Sequence, residues 1–170
     1  MKVVVGSAVK GLTLKSAIAE WLEENEYEVV DVGAYGFDTF IKFPSVAERA
    51  AYVLQQGGAD RAILCCGSGT GMALAAGKFR GVCAVSCESV MAAEFARRVN
   101  DANVMCMGES LVTVDQGKRM ARIFLSEEFQ AVRGIPQHVL DFWAEARDEI
   151  MARGEEAIDR ELGTLELMEA

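Results

Sequence analysis

Ala62-Ile63-Leu64-Cys65-Cys66-Gly67-Ser68-Gly69-Thr70-Gly71-Met72 is the stretch whose reading decides the fold. Ala62 to Cys65 are apolar with no polar alternation, the pattern of a strand buried on both faces of a parallel sheet. Glycines alternating with hydroxyl residues follow, and then a small-residue helical run, Met72-Ala73-Leu74-Ala75-Ala76. Strand, glycine turn and helix in that order aim backbone N–H groups at one spot. Such a spot stabilises an anion, either a standing one or one that develops during a reaction. Cys66 falls at the strand's end, the carboxyl edge where open α/β sheets place their ligands. A thiol among amide donors is a candidate base or nucleophile. The competing reading is a small apolar filler, the common role of a buried cysteine. Gly-Lys-Ser/Thr does not follow the loop, and its glycine spacing misses the dinucleotide pattern, so nucleotide binding is disfavoured.

Composition narrows the class. A chain of 170 residues is one domain with room for a proper core. The formal net charge of −9 argues against nucleic acid and anionic membranes as partners. No uninterrupted apolar span is long enough to cross a bilayer. Met1 to Gly6 reads as a first strand and not as a signal peptide. The five cysteines lie mostly in apolar strand-like runs, which points to reduced thiols in a cytoplasm and not to a disulfide framework. No Cys-x-x-Cys or Cys/His cluster has zinc spacing, and neither a metal nor a cofactor is expected.

From the central stretch the pattern extends in both directions. Lys2 to Gly6 reads as a strand, and Leu12, Ala17, Ile18, Trp21 and Leu22 recur at helical spacing up to Glu24. Glu28 to Gly33 is a second strand, Ala34 to Phe43 a loop, and Pro44 opens a helix running to about Gln56. Beyond the central helix, which ends near Lys78, come a strand over Val82 to Cys87 and a helix over Glu88 to Val99. Met91, Phe95 and Val99 form that helix's apolar stripe. Asn103 to Gly108 is a fifth strand, and Val114 to Leu125 a helix before a loop to Gln137. This alternation predicts a three-layer αβα sandwich around a Rossmann-like, five-stranded parallel sheet. Residues 1–137 form that unit, and 138–170 read as a C-terminal helical extension. In the extension Val139, Trp143, Ala146 and Ile150 line one face; the sheet is already complete, so a partner subunit is the expected cover. Gly154 is expected to end this helix, with a second short helix or a frayed end after it.

Four stretches, taken with the order of elements, carry a resemblance. They are Cys66-Gly67-Ser68-Gly69-Thr70-Gly71-Met72, Asn100-Asp101-Ala102-Asn103-Val104, Phe43-Pro44 with a helix after it, and Phe129 followed by Arg133. Residues 1 to about 137 resemble the ribose-5-phosphate isomerase B / galactose-6-phosphate isomerase family. The resemblance implies metal-free aldose–ketose isomerisation through a cis-enediolate. It implies a homodimer or tetramer whose active sites are shared between subunits, and a sugar or sugar-phosphate substrate. By the same resemblance Cys66 is the base that moves a proton between C1 and C2, with Ser68 beside it. Amides around Gly67, Ser68, Gly69 and Gly71 hold the enediolate oxygens, and Thr70, Asn100 and Arg133 join the substrate site.

The chain departs from the family in its recognition shell. Ala8-Val9 stands where the family carries Asp-His, and Val99 where it has a His associated with ring opening. Lys42-Phe43 replaces Asp-Tyr, Glu88 replaces a His, and Gln137 stands for a second phosphate-binding Arg. Lys10, Lys42 and Arg98 are basic where the family is usually not, and are candidates to rebuild an anion site. Two accounts compete: an isomerase with a changed substrate, or a degenerate member acting as a partner subunit or sugar-binding module. Retention of Cys66 favours the first. Loss of the ring-opening group hints at a tetrose phosphate or other open-chain substrate, with His138, the single histidine, or Glu88 as alternative acid–base groups.

Overall fold

The computed structural model describes residues 1–161, with side chains up to Ala152. Five strands, β1 (Lys2–Ser7), β2 (Glu28–Asp31), β3 (Arg61–Cys66), β4 (Ala84–Ser86) and β5 (Val104–Gly108), form one sheet in the order β2-β1-β3-β5-β4. Every neighbouring pair is parallel. The helices are α1 (Leu12–Glu24), α2 (Phe43–Gln55), α3 (Thr70–Ala76), α4 (Val90–Arg98), α5 (Val114–Ser126) and α6 (Gln137–Glu161). The chain thus adopts the expected Rossmann-like αβα sandwich. From β1 it winds outward to β2, then crosses back to β3, so the winding reverses between β1 and β3. The crevice at such a switch point opens at the carboxyl ends of the two strands, where Ser7 and Cys66 stand.

The sheet is apolar on both faces because helices cover both. Val3, Val5, Ile63, Cys65, Met105 and Met107 share one core with Leu14, Ile18 and Leu22 of α1 and Met120, Ala121 and Phe124 of α5. Val4, Ala62, Leu64, Cys66, Val104 and Cys106 face α2 and α3 through Val46, Ala47, Ala50 and Met72. The period of two therefore sends adjacent Cys65 and Cys66 into different layers.

The structure corrects several expectations. Met91 and Phe95 are not the buried stripe of α4: they are 64% and 53% exposed, while Ala93, Ala96 and Arg97 face inward. Small residues let α4 lie close to the sheet and turn its large apolar side chains outward. The helix starts at Val90, because the Ser89 Oγ accepts the Ala92 N–H at 3.1 Å and caps it. β2 and β4 are shorter than read, ending at Asp31 and Ser86. Gly154 does not end α6, which runs on to Glu161; a glycine within a helix costs only about 1 kcal/mol relative to Ala, and its neighbours are Ala, Glu and Arg. The second short helix expected toward Ala170 falls largely outside the described residues. No helix of the described residues is long and apolar enough to cross a membrane.

Candidate active site

β3 ends level with its neighbours: Ser7 of β1 pairs with Cys65, and Gly108 of β5 with Cys66. Beyond Cys66 the chain turns across the end of β5 and is pinned there. The Cys66 carbonyl accepts the Glu109 N–H at 2.9 Å, and the Gly67 carbonyl accepts that of Ser110 at 3.0 Å. The crossing is close enough to demand glycine twice. A Cβ on Gly108 would lie 2.5 Å from the Ser68 carbonyl carbon, and one on Gly69 2.9 Å from that of Met107. Gly69 also has φ +80°, which side chains rarely tolerate. The tight turn brings the Gly69 N–H back onto Cys66 Sγ, at 3.1 Å. Gly69 then caps α3, so the first N–H groups of that helix have no helical acceptor and face the same corner.

The other loop residues meet here too. Ser68 and Thr70 are exposed, and their hydroxyl oxygens are 2.8 Å apart. Gly71 leaves room for the Phe43 ring, which a Cβ there would meet at 3.4 Å. Lys10 lays its aliphatic stem over Gly67, its Cγ 3.3 Å from where a Cβ would stand. Gly11, at φ +134°, rests on the backbone of Cys65 and Cys66. Lys42 is exposed at the start of α2, next to Phe43 on the same rim.

The thiols near this corner differ in their surroundings. Burial, reinforced by the charges of Cys66 and Glu109, pushes Cys65 far up, and burial does the same to Cys106. Cys87 is pushed up to about 11 by burial. These three stay protonated at neutral pH. Among the described residues, Cys66 has the one sulfur that accepts an amide N–H.

Arg98, Asn100 and Arg133 do not join Cys66 within one chain. α4 leaves the carboxyl edge and returns to the amino edge, so its last residue and those that follow stand at the opposite rim. There Arg98 is held by Glu127, Nε to Oε2 at 2.6 Å, and by Glu94, Nη1 to Oε1 at 2.5 Å. The hydrogen bond to Glu127 raises the Arg98 guanidinium above its ordinary range. The loop bearing Arg133 is pinned alongside, with the Gln130 N–H on the Arg98 carbonyl at 2.8 Å. A cavity of about 430 Å³ also lies at this rim, lined by Arg61, Arg97, Asp101, Asn103 and Arg147 among others. Two of its cations are matched by a carboxylate, Arg97 to Asp101 at 2.9 Å and Arg147 to Asp101 at 3.2 Å, and Arg61 donates to the Phe124 carbonyl at 2.5 Å. It is an ion-paired seam remote from the thiol.

Besides Ser7, whose hydroxyl is buried without a partner at the end of β1, two polar groups at the carboxyl edge were not singled out from the sequence. The Ser86 hydroxyl is buried without a partner, 3.0 Å from where a Gly69 Cβ would be. Glu109 is half-buried, and its Oε2 accepts the Leu14 N–H of α1 at 3.1 Å. The signal for both is their place at or just past a strand's last residue, where a doubly wound sheet gathers its site.

A doubly wound sheet with a thiol and a glycine loop at its switch point defines the class, a Rossmann-like α/β enzyme. Residues 3–138 match the family model described as Ribose/Galactose Isomerase. The chain is 42% identical over 129 residues to a 4-deoxy-4-sulfo-D-erythrose isomerase from Clostridium sp. (strain MSTE9), covering 76% of this chain and 81% of that one. It is 37% identical over 131 residues to a D-erythrulose-4-phosphate isomerase 2 from Mycolicibacterium smegmatis, covering 76% and 86%. Ribose-5-phosphate isomerase B of Clostridium thermocellum superposes with a TM-score of 0.82 at 31% identity, over 92% of this chain and 99% of that one. The chain belongs to the ribose/galactose isomerase family, and it is an aldose–ketose isomerase.

Proposed function

We propose that the substrate is a four-carbon sugar, aldose and ketose interconverting, with a tetrahedral oxyanion at C4. The observation that carries this is that, among the described residues, neither the carboxyl edge nor the amino-edge position of Val99, where the family has its ring-opening His, holds an imidazole. The single histidine, His138, is exposed at the start of α6, in the segment that follows the Arg133 loop. A pentose or hexose spends most of its time as a ring, so its isomerase gains from an acid–base group at the ring oxygen. A tetrose whose C4 carries a phosphate or sulfonate cannot close a furanose and needs no such group. The two four-carbon sugars in the relatives' names support the same reading.

In this mechanism Cys66 takes the proton from C2 of the aldose, and the electron pair moves toward the carbonyl oxygen. A cis-enediolate forms, its oxygens held by amides of the Gly67–Gly71 loop. A proton passes between the two oxygens, with the paired Ser68 and Thr70 hydroxyls nearby, and Cys66 returns its proton to C1. No atom is gained or lost. Lys10 over Gly67 and Lys42 on the rim are cations on this chain that can meet the C4 anion. Arg133 of the partner subunit is a third, if two copies place the amino edge of one against the carboxyl edge of the other. The outward Met91 and Phe95 give such a partner apolar surface to cover.

The test is proton exchange from solvent D2O at C1 or C2 over erythrose 4-phosphate, 4-deoxy-4-sulfo-erythrose and ribose 5-phosphate. Exchange with one or both tetroses, faster than with the pentose by about 10²-fold or more and lowered by about 10²–10⁴-fold in Cys66→Ala, is the expected result. The two tetroses separate phosphate from sulfonate. Ribose 5-phosphate as the best substrate would overturn the four-carbon reading.

A further inference from the structure

Glu109 stands at a meeting of three elements. Its backbone N–H is spent on the Cys66 carbonyl at 2.9 Å, so its Cα is fixed beside the end of β3. Its side chain crosses to the first turn of α1, where Oε2 accepts the Leu14 N–H at 3.1 Å. α1 has no cap of its own, because its N-cap is Gly11. The same corner of α1 presses Gly11 onto the Cys65–Cys66 backbone and lays Lys10 over Gly67. A carboxylate has room for several donors on two oxygens, and the Leu14 amide uses one place. The buried ion pair at this edge is already matched: the Lys15 Nζ is hydrogen-bonded to Asp31, and Asp31 also receives the Gly33 N–H at 3.0 Å.

We propose that Glu109 is a specificity-determining residue, whose remaining carboxylate oxygen accepts a hydrogen bond from the C3 hydroxyl of the sugar. This rests on the proposed isomerase site and assigns its next contact. With C1 and C2 over the glycine loop and the C4 anion drawn to the cations, C3 is the carbon left between them. A carboxylate is the acceptor suited to a hydroxyl there, and a charged hydrogen bond is stronger than a neutral one. The Leu14 cap holds the carboxylate before substrate arrives, so little ordering is needed on binding. Glu109 moves no proton in this scheme; it fixes which hydroxyl pattern sits over Cys66.

The experiment compares wild type, Glu109→Gln and Glu109→Ala on a turned-over sugar of the panel above and on its 3-deoxy analogue. Glu109→Gln keeps an oxygen for the Leu14 N–H and removes only the charge. Its kcat/KM on the hydroxylated sugar should fall by about 10- to 100-fold, mainly through KM. On the 3-deoxy analogue wild type and Glu109→Gln should be equal, and the melting temperature of Glu109→Gln should be unchanged. Glu109→Ala should show the same loss of specificity and some loss of stability from the missing cap. If Glu109→Gln matches wild type while Glu109→Ala is impaired, the residue is a helix cap and the proposal is overturned. An equal loss on both sugars places its effect on the loop and overturns the C3 contact. Wild-type proton exchange is the control for the isomerase reading itself: with no sugar exchanged, that reading falls and this one with it.

Discussion

Gly69→Ala tests whether the crossing of the glycine loop over β5 is what sets the thiol. The new Cβ would lie 2.9 Å from the Met107 carbonyl carbon, 3.0 Å from the Gly108 nitrogen and 3.0 Å from Ser86 Oγ. Two of those atoms belong to a buried central strand and cannot step aside. The residue also sits at φ +80°, ψ −33°, where a side chain costs about 1–2 kcal/mol. Overpacking a closed site adds about 1–3 kcal/mol, so the folded state should lose about 2–5 kcal/mol unless the loop lifts. If it lifts, the Gly69 N–H leaves Cys66 Sγ, and a misplacement of that kind costs about 10²-fold in rate. Urea unfolding and solvent proton exchange on the same protein read both quantities. Gly57→Ala is the control: φ is +66° there, but nothing lies within 4 Å of the new Cβ, so only the backbone cost should appear and exchange should be normal. Wild-type stability and exchange in Gly69→Ala would refute the argument that this contact organises the site.

Three other outcomes follow from the same geometry. Cys66→Ala should lower solvent proton exchange by about 10²–10⁴-fold with the fold intact, whereas Cys65→Ala, truncated in the core under α1, should cost about 1–2 kcal/mol in urea unfolding and little in turnover. Stability should be flat up to about pH 8 and fall above pH 9, because unfolded thiols ionise near 9.0 while folded Cys87 does so only at about 11 and burial holds Cys65 and Cys106 well above their ordinary value. The stability that these groups lend is thus complete below the unfolded pKa and lost above it, at up to about 1.4 kcal/mol per pH unit for each; Cys87→Ala should flatten the alkaline slope. Finally, Cys66→Ala and Arg133→Met proteins, unfolded together and refolded, should regain about a quarter of the wild-type sites if each site draws on two copies of a dimer, and none if each chain works alone.

What the sequence disclosed and what it withheld follow from the range of the forces involved. Strands and helices were legible because burial on both faces writes unbroken apolar runs such as Ala62 to Cys65, and burial on one face writes a helical period, as in Ile18, Trp21 and Leu22. The split of Cys65 from Cys66 needs only the pleat. The outward turn of Met91 and Phe95 was not legible, since a period shows which residues share a face but not whether that face meets the sheet. Alanines at 93 and 96 won the inner face because they allow closer approach. Glu109 was invisible for another reason: its partner, Leu14, is distant in sequence, and nothing in either neighbourhood announces that β5 and α1 meet.

The amino-edge residues show how the winding of the chain limits which side chains one chain can bring to Cys66. In a doubly wound sheet each helix carries the chain back from the carboxyl edge, and α4, with nine residues, spans about 13 Å at 1.5 Å per residue. Arg98 and Asn100 therefore stand at the rim opposite their own Cys66, whatever their side chains do. For Arg98 the structure supplies an occupation: its guanidinium ties α4 to the end of α5 through Glu127 and to its own helix through Glu94. A substrate anion would have to displace two carboxylates to use it. Arg133 is in a different position. It is exposed, on a loop held in place by the Gln130–Arg98 backbone bond. Of the two arginines, the one already spent on carboxylates serves as the strut, and the one on the supported loop is the candidate for the substrate's charge.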